Sequence, residues 1–330
     1  MKALVTGGGG FLGQAIVRAL VRHGADVHSF SRSQYDALTQ LGVTQHRGSL
    51  ADTAAIAAAI QGSDVVFHVA AKPGIWGDYR EYHQTNVLGT QSVIAACRQQ
   101  GVQKLVYTSS PSVVFNGSDM QGVDESAPYP VHYKAHYPRT KALAEQCVRA
   151  ANDSQLSTVS LRPHLIWGPG DNHLLPRLLS RARAGQLARI GSRENLIDTV
   201  HIDNAVQAHL LAADRLSPGS PVAGKVYFIS QDEPTPMWDF INRLLDAAGA
   251  PPVTRSVPTW LAMALAMGFE SLHRVARRAD EPRLTRFLVS ELSTAHWFDI
   301  SAARRDLGYC PEISIAEGLK QLRIALAASH

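Results

Sequence analysis

The sequence predicts an α/β protein: a doubly wound parallel sheet followed by a smaller, mostly helical C-terminal domain. Two observations carry that expectation. Strand-like and helix-like segments alternate over residues 1–165, and a glycine-rich turn joins the first strand to the first helix. The opening run Lys2-Ala-Leu-Val-Thr6 leads into Gly7-Gly-Gly-Gly10-Phe11-Leu12-Gly13, after which Ala15, Ile16, Ala19 and Leu20 recur at helical spacing. Short apolar runs at 25–30, 64–70, 104–108 and 158–161 read as further strands. Val65-Val66-Phe67 and Leu105-Val106-Tyr107 have the unbroken apolarity of strands covered on both faces. Helical patterns over 12–23, 52–61, 85–100 and 137–151 fill the crossovers.

Beyond Arg162-Pro163 the alternation stops, and residues 164–198 read as irregular and rich in Gly, Pro and Arg. A helix over 203–215 and a strand at Lys225–Ser230 read as a return to the sheet, and the chain is mostly helical from Asp232 onward. The expected organisation is a nucleotide-binding domain of residues 1–165, with 199–230 returning to it, and a substrate domain of 166–198 and 231–330.

The 330 residues are 45% hydrophobic and 18% charged, the balance of a globular protein rather than a disordered one. A net charge of +4 suits anionic small molecules but, without a clustered basic stripe, does not point to nucleic acid. The 3 cysteines, Cys97, Cys147 and Cys310, are far apart and show neither a disulfide framework nor metal-ligand spacing; no metal is expected. The chain opens on a strand with no signal-peptide pattern, and no run approaches the ~18 apolar residues of a membrane span, so a cytoplasmic location is expected. Trp260–Phe269 is Ala-, Leu- and Met-rich and is followed by Arg274, Arg277 and Arg278. Such a segment suits an adaptable apolar lining for a lipophilic substrate, and leaves open a peripheral contact with a membrane or a pathway enzyme. A homodimer is equally open.

Strand, glycine turn and helix in that order form the context in which such a loop binds a dinucleotide. Gly7 permits the tight turn, Gly10 lets the backbone approach the pyrophosphate, and Gly13 lets the helix lie close to the strand. The unpaired N–H groups at the start of the helix then face the phosphates. The second strand ends in Ser31-Arg32-Ser33, where an enzyme that prefers NAD places an Asp or Glu for the ribose 2′-hydroxyl. An arginine between two serines suits a 2′-phosphate instead, so NADP(H) is favoured over NAD(H).

Tyr137-Pro-Arg-Thr-Lys141 places a phenol and an ammonium on one helical face. A cation close to the phenol favours the phenolate, and a tyrosine tuned in this way acts as a general acid or base on a carbonyl or alcohol oxygen. Ser110 closes Thr108-Ser109-Ser110, where a hydroxyl is placed to hold the same oxygen, and Asn86 stands at the start of the 85–100 helix.

Taken together, these motifs resemble those of the extended short-chain dehydrogenases/reductases, over essentially the whole chain. The resemblance rests on Thr6–Gly13, His68-Val-Ala70-Ala71, Asn86-Val-Leu-Gly-Thr90, Tyr107-Thr-Ser-Ser110, Tyr137-x-x-x-Lys141, Leu161-Arg-Pro163, Gly168-Pro-Gly170 and Asp203-Asn204. It implies a Rossmann cofactor domain in which Tyr137 exchanges the proton, Lys141 lowers its pKa and binds the nicotinamide ribose, Ser110 polarises the carbonyl and Asn86 supports a proton relay. It also places Ala70 and Pro163 beside the cofactor. The family's usual Gly-Asp-Leu reads Gly48-Ser49-Leu50 here, which leaves Ser49 and Leu50 as adenine contacts through the backbone.

Val102–Ser110, Leu161–Pro169 and Phe228–Pro234 bring the likeness closer to the 3β-hydroxysteroid and sterol-4α-carboxylate dehydrogenase branch. Ala71-Lys-x-Gly-x-Trp-Gly77, Tyr82-His-Gln-x-Asn86 and Leu284-Thr-Arg-Phe-Leu288 resemble most the bacterial 2-alkyl-3-oxoalkanoate reductases of long-chain olefin biosynthesis. That resemblance implies reduction by NADPH of a β-keto acid branched at C2, with oxidation of a 3β-hydroxysterol as the alternative. Lys72, His164 and Arg177 are the candidate anchors for the substrate carboxylate. A nucleotide-sugar epimerase fits less well, since Pro111-Ser112 replaces the acidic pair of the related dehydratases and Ser31-Arg32-Ser33 suits an exchangeable NADPH. A non-catalytic NADP(H) sensor would have no need of both Tyr137 and Lys141.

Overall fold

Residues 1–328 are described here from a computed structural model. The main sheet has strands β1 (Lys2–Thr6), β2 (Asp26–Ser31), β3 (Thr44–Arg47), β4 (Val65–His68), β5 (Lys104–Thr108), β6 (Ser157–Pro163) and β7 (Val226–Ile229). All run parallel, in the order β7-β6-β5-β4-β1-β2-β3. This is the doubly wound Rossmann sheet the sequence predicts. The direction of winding reverses at β1 and β4, so the crevice beyond their carboxyl ends is where a ligand fits.

Helices α1 (Phe11–Arg22), α2 (Thr53–Ile60), α3 (Gly89–Gln99), α4 (His136–Ala150) and α5 (Ile202–Arg215) cover the sheet. On one face Ile16, Val17 and Leu20 of α1 join Val206, Ala208 and Ala212 of α5 over Val5, Phe67 and Val106. On the other, Ile56, Ile60, Val93, Cys97 and Val148 close over Leu4, Val66 and Leu105. Each of these large apolar side chains contributes roughly 1.5–3 kcal/mol by leaving water. The central strands are continuously apolar because both of their faces are covered.

Two local expectations need correction, and one strand leaves no mark in the sequence. The 85–100 helix is instead a short turn at Tyr79–Tyr82, a π-helical turn at His83–Leu88 and then α3. β3 (Thr-Gln-His-Arg) has no apolar run because it is the edge strand, so the hydrophobic pattern does not mark it. The stretch after Pro163 is not wholly irregular, since Leu174–Arg183 is helical.

In the C-terminal part, α6 (Thr259–Val275) packs Ala262 and Ala266 against Val289 of α7 (Arg286–Ser293). Small residues let the two helices approach, and they turn the large ones outward: Trp260 is 73% exposed, Leu265 45% and Leu272 60%. Among the described residues, no helix is long and apolar enough to cross a membrane.

Candidate active site

The loop after β1 has the shape of a phosphate cradle. Gly7 adopts the left-handed conformation, φ +71°, and its N–H donates to the Phe30 carbonyl at 2.8 Å, which ties the loop to β2. A Cβ on Gly13 would lie 2.1 Å from the Gly7 carbonyl oxygen, so only glycine lets α1 start this close to β1. Gly10 caps α1 with no side-chain hydrogen bond and no acidic residue in the first turn, and the first helical N–H to find a carbonyl is that of Gln14, on Gly10. The N–H groups of Phe11, Leu12 and Gly13 are thus left for an anion. The cradle therefore fits a dinucleotide pyrophosphate.

The rim of this crevice carries the remaining cofactor candidates. Ser31 ends β2, with Arg32 and Ser33 exposed beyond it. Arg47 of β3 donates from Nε to the Arg32 carbonyl at 3.1 Å and brings a second guanidinium to the same corner, one that the sequence does not single out. Ser49 Oγ accepts from the Ala51 N–H at 3.3 Å, a local turn contact, while Leu50 is buried against Gly89. Ala70 lies against Gly7 and donates its N–H to Thr6 Oγ1 at 3.2 Å. Pro163 closes β6 beside Ile229.

Ser110 and Tyr137 meet beyond the end of β5. Ser110 is extended and caps a short 3-10 turn, Pro111–Val114, with its hydroxyl 2.9 Å from that of Ser112. The Ser110 side chain lies close enough to the Tyr137 phenol to favour its ionised form. Burial pushes that phenol up to about 12; Ser110 opposes the shift, and negative charge on Glu291 and Tyr82 adds to it.

Lys141 is not where the Tyr-Lys spacing suggests. Its ammonium is buried, donates to the Thr108 carbonyl at 2.6 Å and lies 4.1 Å from the centre of the Tyr107 ring. Burial lowers it to about 7, although Glu145 one turn on favours the charge. The expected lowering of the tyrosine pKa by the lysine is therefore absent: the phenol answers to burial, and the ammonium is held by the β5 backbone. Lys141 and Glu145 lie on the buried side of α4, where Glu145 forks onto Arg162 at 3.0 and 2.6 Å.

Asn86 is buried inside the π-helical turn, not at a helix start. Its Oδ1 accepts from the Lys72 N–H at 2.7 Å, and its Nδ2 donates to the Lys72 carbonyl and to Thr140 Oγ1 at 3.2 and 3.0 Å. The side chain is committed to pinning the loop after β4 onto α4. A buried chain of hydrogen bonds continues from it. Thr90 donates to the Asn86 carbonyl at 2.7 Å, so Thr90 Oγ1 accepts from His68 Nε2 at 2.9 Å and His68 Nδ1 accepts from Thr6 at 2.7 Å. Burial holds His68 down to about 3, which keeps it neutral, and the Thr90 bond sets the tautomer. The row joins the end of β1 to the turn that carries Tyr137.

A cavity of about 520 Å³ is lined among others by Trp76, Arg274, Phe287 and, from the segment just before Tyr137, Tyr133, Lys134 and His136, but by none of Ser110, Tyr137, Lys141 and Asn86. Of the three expected carboxylate anchors, only Lys72 lines it, and Lys72 is paired with Glu81 at 2.6 Å. His164 donates from Nδ1 to the Asp198 carbonyl and is held down to about 3 by burial and by His296, so it carries no charge for an anion. Arg177 pairs with Glu281 outside the cavity lining. The apolar run Trp260–Phe269 does not line it either; α6 contributes Glu270, His273 and Arg274. Sequence reasoning also misses Glu291 on α7, whose carboxyl burial pushes up to about 7 and whose charge opposes the Tyr137 phenolate. No signal in the sequence places that residue beside a tyrosine more than 150 positions earlier. Among the described residues no cluster could hold a metal ion.

A profile of the 3-beta hydroxysteroid dehydrogenase/isomerase family matches residues 4–258. The chain belongs to that family. It is an oxidoreductase that takes a nicotinamide cofactor. Family relatives span it nearly end to end. A 2-alkyl-3-oxoalkanoate reductase of Stenotrophomonas maltophilia is 52% identical, covering 99% of this chain and 100% of that one. A sterol-4-alpha-carboxylate 3-dehydrogenase (decarboxylating) of Mus musculus is 35% identical, covering 97% and 89%. The solved structure of MoeE5 in complex with UDP-glucose and NAD superposes with a TM-score of 0.75 at 26% identity, covering 100% of this chain and 99% of that one.

Proposed function

We propose that this family member uses NADPH to reduce a 2-alkyl-3-oxoalkanoate, a β-keto acid branched at C2, to the 2-alkyl-3-hydroxyalkanoate. The observation that carries the proposal is the closeness of the Ser110 side chain to the buried Tyr137 phenol, which directly follows the cavity-lining segment Tyr133–His136. Two hydroxyls converging on one point suit a ketone oxygen that gains negative charge. The similarity to the Stenotrophomonas maltophilia reductase supplies the substrate class.

A bound reduced nicotinamide supplies the hydride that the ketone carbon takes up. Ser110 holds the ketone oxygen through its hydroxyl. Tyr137 gives its proton to that oxygen as it becomes an alkoxide. A phenol pushed up to about 12 is protonated at neutral pH, which suits reduction better than the reverse reaction. Asn86 and Thr140 fix the turn that aims the tyrosine. Arg32, with Arg47 beside it and no carboxylate at the end of β2, supports NADPH over NADH.

A free β-keto acid loses carbon dioxide readily, so a site that excludes water and reduces it quickly preserves the carboxylate. The similarity to the mouse sterol enzyme supports the alternative of a 3-hydroxysterol carrying a neighbouring carboxylate, with the same groups around the oxygen. One assay separates the readings. The proposed substrate class predicts NADPH oxidation with a long-chain 2-alkyl-3-oxo acid, faster than NADH oxidation. Reduction of NAD⁺ or NADP⁺ with a 3β-hydroxysterol carboxylate, and no turnover of the acyl substrate, would overturn it.

A further inference from the structure

The substrate proposed above brings a carboxylate to the carbon next to the one that is reduced, and none of Lys72, His164 and Arg177 is free to receive it. Five Lys and Arg residues line the cavity: Lys72, Lys134, Arg274, Arg277 and Arg278. Three are already paired, Lys72 with Glu81 at 2.6 Å, Arg274 with Glu270 at 3.1 Å and Arg278 with Asp280 at 2.9 Å. Arg277 is exposed in the left-handed conformation past the end of α6, φ 49°. Lys134 is different. Its ammonium donates to Ser290 Oγ of α7 at 2.8 Å, and among the described residues it forms no ion pair.

The side chain of Lys134 rests in a prepared place. Gly117 lies beneath it, and a Cβ there would come within 2.4 Å of Nζ and 2.8 Å of Cε, so the bare glycine makes the room. Tyr133 on one side donates its hydroxyl to the Val113 carbonyl at 2.8 Å, and Ala135 on the other is buried, which fixes the segment. Lys134 stands three residues before Tyr137, so their Cα atoms lie within about 11 Å of each other. The carboxylate of a β-keto acid is attached one carbon from the ketone, and its anchor must therefore sit close to the tyrosine.

We infer that Lys134, with the Ser290 hydroxyl beside it, receives the substrate carboxylate and makes the enzyme selective for the acid over neutral ketones. This assignment rests on the substrate reading given above. Ser290, buried behind the cavity wall, holds the ammonium at the cavity edge before substrate arrives, and the carboxylate then draws it inward. A charge-assisted contact of this kind corresponds to about 10- to 100-fold in kcat/KM.

The test compares wild type with Lys134→Met on two substrates, a 2-alkyl-3-oxoalkanoate and its methyl ester, with NADPH. The acid should lose about 10- to 100-fold in kcat/KM, mostly through KM, while the ester changes by less than about threefold. If Lys134→Met folds poorly by thermal melting, Lys134→Arg and Ser290→Ala replace it: the first should keep the preference for the acid, and the second should weaken it. Equal losses on acid and ester, or an unchanged acid, would overturn the role of Lys134 while leaving the substrate reading intact. If wild type reduces neither compound, the substrate reading fails and the assignment fails with it.

Discussion

The ammonium of Lys141 sits 2.6 Å from the Thr108 carbonyl, inside the sheet, and not against the phenol of Tyr137. That places a cation in apolar surroundings, where burial lowers it to about 7. Lys141→Met should therefore stabilise the fold. The sign follows from the protons bound. Between about 7 and the ordinary lysine value the unfolded chain holds the proton and the folded protein does not, so wild-type stability rises with pH across that window. The gain of the variant is then greatest below pH 7, on the order of 2–4 kcal/mol, and fades towards pH 10. Denaturant unfolding of both proteins at pH 6, 8 and 10 checks this; a variant less stable than wild type at pH 6 would refute it.

Arg162 and Glu145 behave in the opposite way. The pair is almost fully buried, 1% and 0% exposed at the side chains, and Tyr129 adds a hydrogen bond to Glu145 Oε1 at 2.6 Å. Removing one partner leaves a bare buried charge. Arg162→Met alone should destabilise by about 3–5 kcal/mol, and the double variant with Glu145→Gln by less than the single one. A double-mutant cycle of unfolding free energies reads this directly, and strictly additive losses would show that the pair is not coupled.

The glycine loop separates space from ligand approach. Gly13→Ala pushes a Cβ to 2.1 Å from the Gly7 oxygen and should damage both folding and cofactor binding. Gly10→Ala meets only the Gly7 oxygen at 3.3 Å, so it should fold nearly as well as wild type and lose affinity for the cofactor by tenfold or more. Cofactor titration by fluorescence, beside thermal melting, distinguishes the two. Equal melting losses for both variants would contradict this account of the loop.

Arg32 is expected to set the cofactor preference. Arg32→Ala should raise the Kd for NADPH about 10- to 100-fold, with a change of less than about threefold for NADH. Arg47→Ala should do the same more weakly, since its Nε is already committed to the Arg32 carbonyl. Equal effects on both cofactors would remove Arg32 from the 2′-phosphate site.

Much of this was legible in the residues, and the limits are physical. The alternation of apolar strands and helices finds the sheet because its inner strands are covered on both faces, whereas polar β3 at the edge leaves no such mark. The loop Gly7–Gly13 and the Ser110, Tyr137 and Lys141 positions are local patterns, so they can be read. What a side chain contacts across the fold cannot. The i, i+4 spacing brings Lys141 and Tyr137 to one side of a helix, but the Thr108 carbonyl decides where the ammonium goes. Asn86 reads as the start of a helix, since nothing local signals a π-helical turn or its grip on the Lys72 backbone. Lys134, Ser290 and Glu291 are ordinary residues until the fold brings α7 over the cavity.

The central claim is that Tyr137, beside Ser110, gives the proton that completes ketone reduction. The most direct measurement follows NADPH oxidation and hydroxy-acid formation from a 2-alkyl-3-oxoalkanoate by wild type and Tyr137→Phe, with the NADPH Kd of each. The account predicts one hydroxy acid per NADPH from wild type, and a loss of at least about 100-fold in kcat for the variant with its Kd changed by less than about threefold. Turnover by Tyr137→Phe at the wild-type rate would contradict it.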